Sequence, residues 1–249
     1  MSGHSKWHNI RLRKGKQDAE RGKLFTKLAR EIIVAAKAGG GSPDTNMRLR
    51  MAIQKAKDAS MPADNIKRAV QRGTGELEGV SYEEVTYEGY GPGGVAILVE
   101  CLTDNRNRTV ADLRAIFNKC GGSLGESGCV SWMFEAKGTI LLPADSSTED
   151  DVLMAVMDAG AEDVKTEGEN IEVTSSPEAL ADVRQALTNA GIAFTMAELS
   201  MVPQSTVRVE GKEASQVVRL MDQLEDNDDV QRVYANFDIP DEVLQEVVG

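Results

Sequence analysis

The stretch GTILLPADSSTEDDVLMAVMDAGAEDVKTEGENIEVTSSPEALADVRQALTNAGIAFTMAELSMVP, from Gly138 to Pro203, decides the fold. GTILLPA reads as a strand, and DVLMAVMDAGAEDV as a helix running on into a strand or turn. NIEVTS reads as a strand, PEALADVRQALTNAGI as a helix and FTMAELSMVP as a closing strand. That order is the split βαβ pattern of a ferredoxin-like unit.

Working outward, EEVTYEG and GVAILVECLTD read as strands, RTVADLRAIFNKCGG as a helix and CVSWMFEA as a further strand ending before Gly138. On the other side, TVRVEG and VQRVYANFDIP are strands around the helix EASQVVRLMDQLED. Two strands and a helix cannot close a core alone. They are expected to pair back onto the sheet begun near Tyr82, which makes the ferredoxin-like unit an insertion. The expected fold class is therefore α+β with three domains: a basic N-terminal helical domain over residues 1–76, a discontinuous α+β domain over 77–136 and 205–249, and the inserted ferredoxin-like domain over 137–204. A chain of 249 residues is long enough for such a division.

Three helices open the chain. KLFTKLAREIIVAAKAGGG sets Phe25, Leu28, Ala29, Ile32 and Ala36 at helical spacing and stops in glycine, which enters left-handed backbone at little cost. NMRLRMAIQKAKDAS repeats the pattern with Leu49, Ile53 and Ala56. Pro62 suits the first turn of a third helix, PADNIKRAVQRG, expected to close at Gly73. Before Lys23 few core candidates stand beyond Trp7, Ile10 and Leu12, so an extension or a weakly held helix is expected there.

Charge divides the chain unevenly. The net charge is −12, yet the first 73 residues hold 17 Lys or Arg against 6 Asp or Glu, a net of +11, leaving −23 for the rest. A polyanion-binding head on an acidic body accounts for this, and so does a solvated helical face. The candidate phosphate contacts are Lys6, Arg11, Arg13, Lys14, Lys16, Arg21, Lys23 and Lys27, extended by Arg48 and Arg50 on the second helix. Trp7 either stacks on an unpaired base or packs onto the helical domain through Ile10. Few Asn or Gln lie among these cations, so readout of a duplex sequence would fall to the arginines or to DNA shape.

A second polar cluster is DNRNRT, Asp104 to Thr109, between a strand and a helix. Arg106 and Arg108, with exposed N–H groups of the helix, could hold an anion. Alternatively, Asp104 or Asn107 caps the helix and the arginines pair with the acidic body.

Several chemistries lack their residues. Gly89, Gly91 and Gly94 in GYGPGG satisfy GxGxxG, but VAILVE after them reads as a strand, so a strand-to-strand turn is expected rather than a dinucleotide site. His4 and His8 have no Cys or paired carboxylates nearby, and Cys101, Cys120 and Cys129 form no CxxC. No metal, no cofactor, no catalytic residue and no small-molecule substrate are expected, and the protein is not read as an enzyme. No run of about 18 apolar residues is present for a membrane span, and the basic N-terminus lacks a signal-peptide core. A cytoplasmic protein without a membrane partner is expected.

GHSKW, GGGSPDTNMRLR, YEGYGPGGVA, DNRNRT, KCGGSLGESGCVSWMF and the closing NFDIP together resemble the YebC/PmpR family, also described as the family of the mitochondrial translational activator of cytochrome oxidase. The resemblance runs over essentially the whole chain with the motifs in family order. Met47 stands where many members have Pro, and Trp132 where Tyr is commoner. The resemblance implies an N-terminal helical domain plus two α+β domains, the third inserted in the second. It implies a DNA-binding transcriptional regulator, or alternatively a ribosome-associated, RNA-binding translation factor. The expected partner is accordingly duplex DNA or ribosomal RNA, held by the basic N-terminal domain.

Overall fold

The computed structural model of the protein describes residues 19–240 and Val243. It opens with three helices, α1 (Ala19–Gly39), α2 (Met47–Asp58) and α3 (Ala63–Thr74). α1 buries Ile32, Ile33, Ala35 and Ala36 against Leu49, Ala52 and Ala56 of α2 and Ile66 and Ala69 of α3; Phe25, Leu28 and Ala29 are partly buried at its edge. A fully buried Ile or Leu contributes about 1.5–3 kcal/mol, so this stripe is what holds three short helices together.

Asn46 joins the first two helices. Its side-chain oxygen accepts from the Leu49 N–H at 3.0 Å, capping α2, while its Nδ2 donates to the Ala35 carbonyl at 2.7 Å and the Gly40 carbonyl at 2.9 Å, both at the end of α1. Gly73 does not end α3 as its sequence suggests. It lies inside the helix, where a Cβ would stand 2.5 Å from the Ile33 carbonyl oxygen, so glycine is required for α1 and α3 to approach. The stop is Gly75, at φ 82°.

The second part is a four-stranded sheet in the order β3-β1-β2-β9, antiparallel throughout, from β1 (Glu83–Tyr90), β2 (Ala96–Thr103), β3 (Ser123–Leu124) and β9 (Val230–Ala235). Helices α4 (Arg106–Lys119) and α7 (Gly211–Glu225) pack on one face through Leu113, Phe117, Val217 and Leu220 against Ile97, Val99 and Val233. β9 registers Ile97 with Ala235, so the last part of the chain returns to the sheet begun at β1. GYGPGG forms the turn between β1 and β2: Pro92–Gly94 make a short 3-10 turn with Gly93 and Gly94 at φ 71° and 77°. No helix follows the glycines, in keeping with the strand-to-strand reading.

The CVSWMFEA segment departs from its expected strand. Ser131–Met133 form a 3-10 turn, and the strand starts only at Phe134. The cause is Glu88, whose carboxylate accepts the backbone N–H groups of Gly128, Val130 and Ser131, each at 2.7 Å. Those three amides are turned toward one buried side chain and are lost to any sheet ladder. Burial opposes ionisation of Glu88, but the three N–H donors outweigh it and hold the carboxyl below its ordinary range.

The inserted part has the sheet order β5-β6-β4-β7, from β4 (Phe134–Pro143), β5 (Ala161–Glu167), β6 (Asn170–Ser175) and β7 (Met196–Pro203). With α5 (Glu149–Val156) and α6 (Leu180–Asn189) on one face over Ile140, Leu142, Ile171 and Val173, this is a ferredoxin-like βαββαβ unit. The short strands β8 (Val207–Arg208) and β10 (Phe237–Asp238) pair in parallel. Among the described residues the three cysteines are free thiols, and burial pushes Cys101 up to about 12.

Candidate nucleic-acid interface

Lys6, Trp7, Arg11, Arg13, Lys14 and Lys16 lie outside the described residues. Arg21 falls in the first turns of α1. Lys23 and Lys27 follow on the same helix, and both face the C-terminal end of α7. Lys23 Nζ donates to the Asp226 carbonyl and pairs with its carboxylate, each at 3.2 Å, and Lys27 Nζ donates to the Glu225 carbonyl at 2.5 Å. A helix end presents carbonyls with no partner in their own helix and a partial negative charge, so two ammonium groups there are stabilising.

One turn further on, Arg30 enters the seam between the helical part and the sheet. Its Nη1 reaches the Leu102 carbonyl at 3.3 Å, the Asp228 carbonyl and the Asp229 carboxylate at 2.8 Å, and its guanidinium lies 5.1 Å from the centre of the Tyr82 ring. Asp229 is the centre of this seam, its side chain 5% exposed. It also accepts from Arg108 Nη2 at 2.8 Å and from Thr109 Oγ1 at 2.7 Å. Burial alone would raise the Asp229 pKa; hydrogen bonds from Arg108, Thr109 and Arg30 outweigh it and hold the carboxyl below its ordinary range. A polar cleft of about 370 Å³ opens beside this network, lined by Arg30, Tyr82, Arg108, Asp112 and Asp228 among others.

DNRNRT therefore sits within a structural network. Asn105 is the cap, its side-chain oxygen accepting from the Arg108 N–H at 3.1 Å, in place of the expected Asp104 or Asn107. Arg108 joins Asp104 at 2.7 Å to Asp229, and Arg106 Nε pairs with Glu83 at 2.7 Å. The hydrogen bond from Arg108 also lowers the pKa of Asp104.

The second-helix candidates are engaged as well. Arg48 pairs with Glu31 at 2.9 Å and with Glu84, while Arg50 donates to the carbonyls of Pro43 and Asp44, each at 2.8 Å. Lys55 reaches across to Glu198 on β7. The structure thus brings Lys23, Lys27 and Arg30 together against the turn Glu225–Asp229, where Arg108 also meets Asp229, and leaves Arg48, Arg50 and Arg106 in separate pairings. Sequence reasoning passed over Arg30 and Asp229. The acidic run EDNDD at 225–229 was the available signal, a dense cluster of carboxylates able to face a basic helix.

Among the described residues no helix is long and apolar enough to cross a membrane, and no group of His, Cys, Asp and Glu is placed to hold a metal ion.

Comparison with known proteins gives concordant results. The profile of the TACO1/YebC protein N-terminal domain matches residues 5–76, and that of the TACO1/YebC second and third domain matches residues 82–237. A protein of Geobacter sulfurreducens named a probable transcriptional regulatory protein is 58% identical over 248 residues, covering 100% of both chains. One of the same name from Dictyoglomus turgidum is 57% identical over 246 residues, covering 98% of this chain and 99% of the relative. The crystal structure of a conserved hypothetical protein from Aquifex aeolicus superposes with a TM-score of 0.83 at 50% identity, over 92% of this chain and 94% of that one.

Proposed function

The chain belongs to the TACO1/YebC family, and we propose that it is a cytoplasmic regulator of gene expression that binds nucleic acid through its basic N-terminal helical domain, acting as a DNA-binding transcriptional regulator. The observation that carries this reading is the charge partition: +11 over the first 73 residues against −23 over the remainder. A polyanion is drawn to the first part and kept off the second. The names of the relatives, probable transcriptional regulatory proteins, support the same reading. The protein works by binding, without a cofactor or a chemical step of its own.

A second reading, an RNA-binding translation factor, is favoured by one specific observation. Base readout in a DNA groove relies on Asn, Gln and Arg reaching base edges. Of the amides between Lys23 and Gly73, Asn46 is buried as a cap, Gln54 donates to Asp58 and Gln71 donates to Glu76, which leaves Asn65. Such a surface suits backbone contact better than sequence reading.

Anisotropy titrations of the full chain against duplex DNA and helical RNA across a salt series test the proposal. With about six phosphates neutralised, log affinity falls with log salt at a slope near −5, and Lys14→Ala reduces the slope by about one. Affinity that ignores salt overturns the electrostatic reading. Crosslinking in cells followed by sequencing of the recovered DNA and RNA decides between the two readings.

A further inference from the structure

We propose that the exposed face of α3, with Lys67, Arg68 and Arg72, is a docking surface for the sugar–phosphate backbone of an RNA helix. The inference rests on the second, RNA-binding reading of the helical domain and assigns it residues that the sequence patterns did not single out.

The starting point is which cations are free. In the helical part, Lys23, Lys27, Arg30, Lys37, Arg48, Arg50 and Lys55 each bond to another group of the protein. Lys57, Lys67, Arg68 and Arg72 are exposed and have no hydrogen-bond or ion-pair partner among the described residues. Three of the four lie on one helix. At about 100° per residue, Lys67, Arg68 and Arg72 fall within an arc of about 140°, opposite the buried Ile66, Ala69 and Gly73 side that packs on α1. The linker after Gly75 lies against the stem of Arg72: a Cβ on Gly79 would stand 3.3 Å from Arg72 Cγ, while Arg72 as a residue is exposed.

The chemistry fits a phosphate backbone. Three cations without acceptors, within about 7.5 Å of rise along α3, can be shared among neighbouring phosphates. Sequence reading of a DNA groove fits less well. Asp64 occupies the first turn of α3, the end that would lead into a major groove, and the Gln71 amide is already donated to Glu76. A-form RNA is recognised by shape and through phosphate and 2′-OH contacts over a wide, shallow groove, which this flank can make.

The test uses the full chain and the triple variant Lys67→Gln/Arg68→Gln/Arg72→Gln, titrated by anisotropy against a 20-base-pair RNA hairpin and a DNA duplex of the same sequence over a salt series. The expected result is at least a ten-fold loss of RNA affinity, a salt slope shallower by about two to three, and an unchanged melting temperature. The charge-conserving variant Lys67→Arg/Arg68→Lys/Arg72→Lys retains most of the RNA affinity, which excludes misfolding as the cause. If the triple variant binds RNA as the parent does, while Arg11→Gln/Arg13→Gln/Lys14→Gln/Lys16→Gln loses binding, the α3 surface is wrong and the nucleic-acid reading stands. If the loss falls on the DNA duplex alone, the RNA assignment is overturned. If the parent binds neither ligand in a salt-dependent way, the proposed function itself fails.

Discussion

Helices α1 and α3 are both basic, both amphipathic and both packed into one small core, yet their cations meet opposite fates. On α1, Lys23, Lys27 and Arg30 recur at one-turn spacing on the side that meets Glu225–Asp229, and all three are taken up there. On α3, Lys67, Arg68 and Arg72 are exposed and have no partner among the described residues. The difference teaches that a basic helix in an acidic protein can serve as an internal clamp, and that positive charge read along a chain overstates the positive charge presented to a ligand.

The largest effect expected from breaking this contrast lies at Asp229. Asp229→Ala removes the shared acceptor of Arg30, Arg108 and Thr109 and should destabilise the fold by about 3–5 kcal/mol, read as a large fall in denaturation midpoint. An unchanged midpoint would mean the clamp does not hold the helical domain to the sheet. The sign with pH follows from the lowered Asp229 pKa. The contribution is full above the unfolded carboxylate pKa of about 3.9 and is lost as pH falls through the lower folded value. The acid limb of the stability curve should therefore flatten in Asp229→Asn.

Glu88 offers a comparison within the body, since it is buried like Asp229 but held by amides rather than by cations. Glu88→Gln keeps the shape and puts an NH₂ where an acceptor is required by Gly128, Val130 and Ser131, so about 1–3 kcal/mol should be lost. Hydrogen exchange should quicken over 126–133 and leave α1 protected. If the loss appears instead at the seam with α1, the two anchors are one unit.

Lys23→Ala/Lys27→Ala should cost about 1 kcal/mol or less, because Lys23 is exposed and the contacts are to a helix end. RNA affinity should change far less than in the α3 triple variant. A comparable loss would show that nucleic acid displaces the turn Glu225–Asp229 from α1. The smallest effect is expected at Arg106, whose pair with Glu83 is exposed on both sides: Arg106→Ala should move stability by about 0–1 kcal/mol. If nucleic-acid binding falls sharply without a change in melting, DNRNRT contacts the ligand despite its internal pairings.

Much of the architecture was legible because its signals are local. The alternation in NIEVTS and the apolar spacing of Phe25, Leu28 and Ile32 follow from strand and helix periods that a short window contains. The misreadings occur where a distant group intervenes. Gly73 resembles a helix stop until the Ile33 carbonyl is placed against it, and CVSWMF resembles a strand until Glu88 takes its amides. The candidate site was legible as a charge difference and as a set of basic residues, but the internal uses of Lys23, Lys27, Arg48 and Arg108 were not.

By itself, then, the sequence determined the order of helices and strands, the return of the last strand to the first sheet, and the division of the chain into a basic head and an acidic body. Only the tertiary structure decided which cations remain available. Periodicity and composition act over a few residues, whereas Lys27 donates to a carbonyl 198 positions away, brought within reach by the packing of α1 against the end of α7. A contact at that separation depends on folded distance, to which the local pattern is blind.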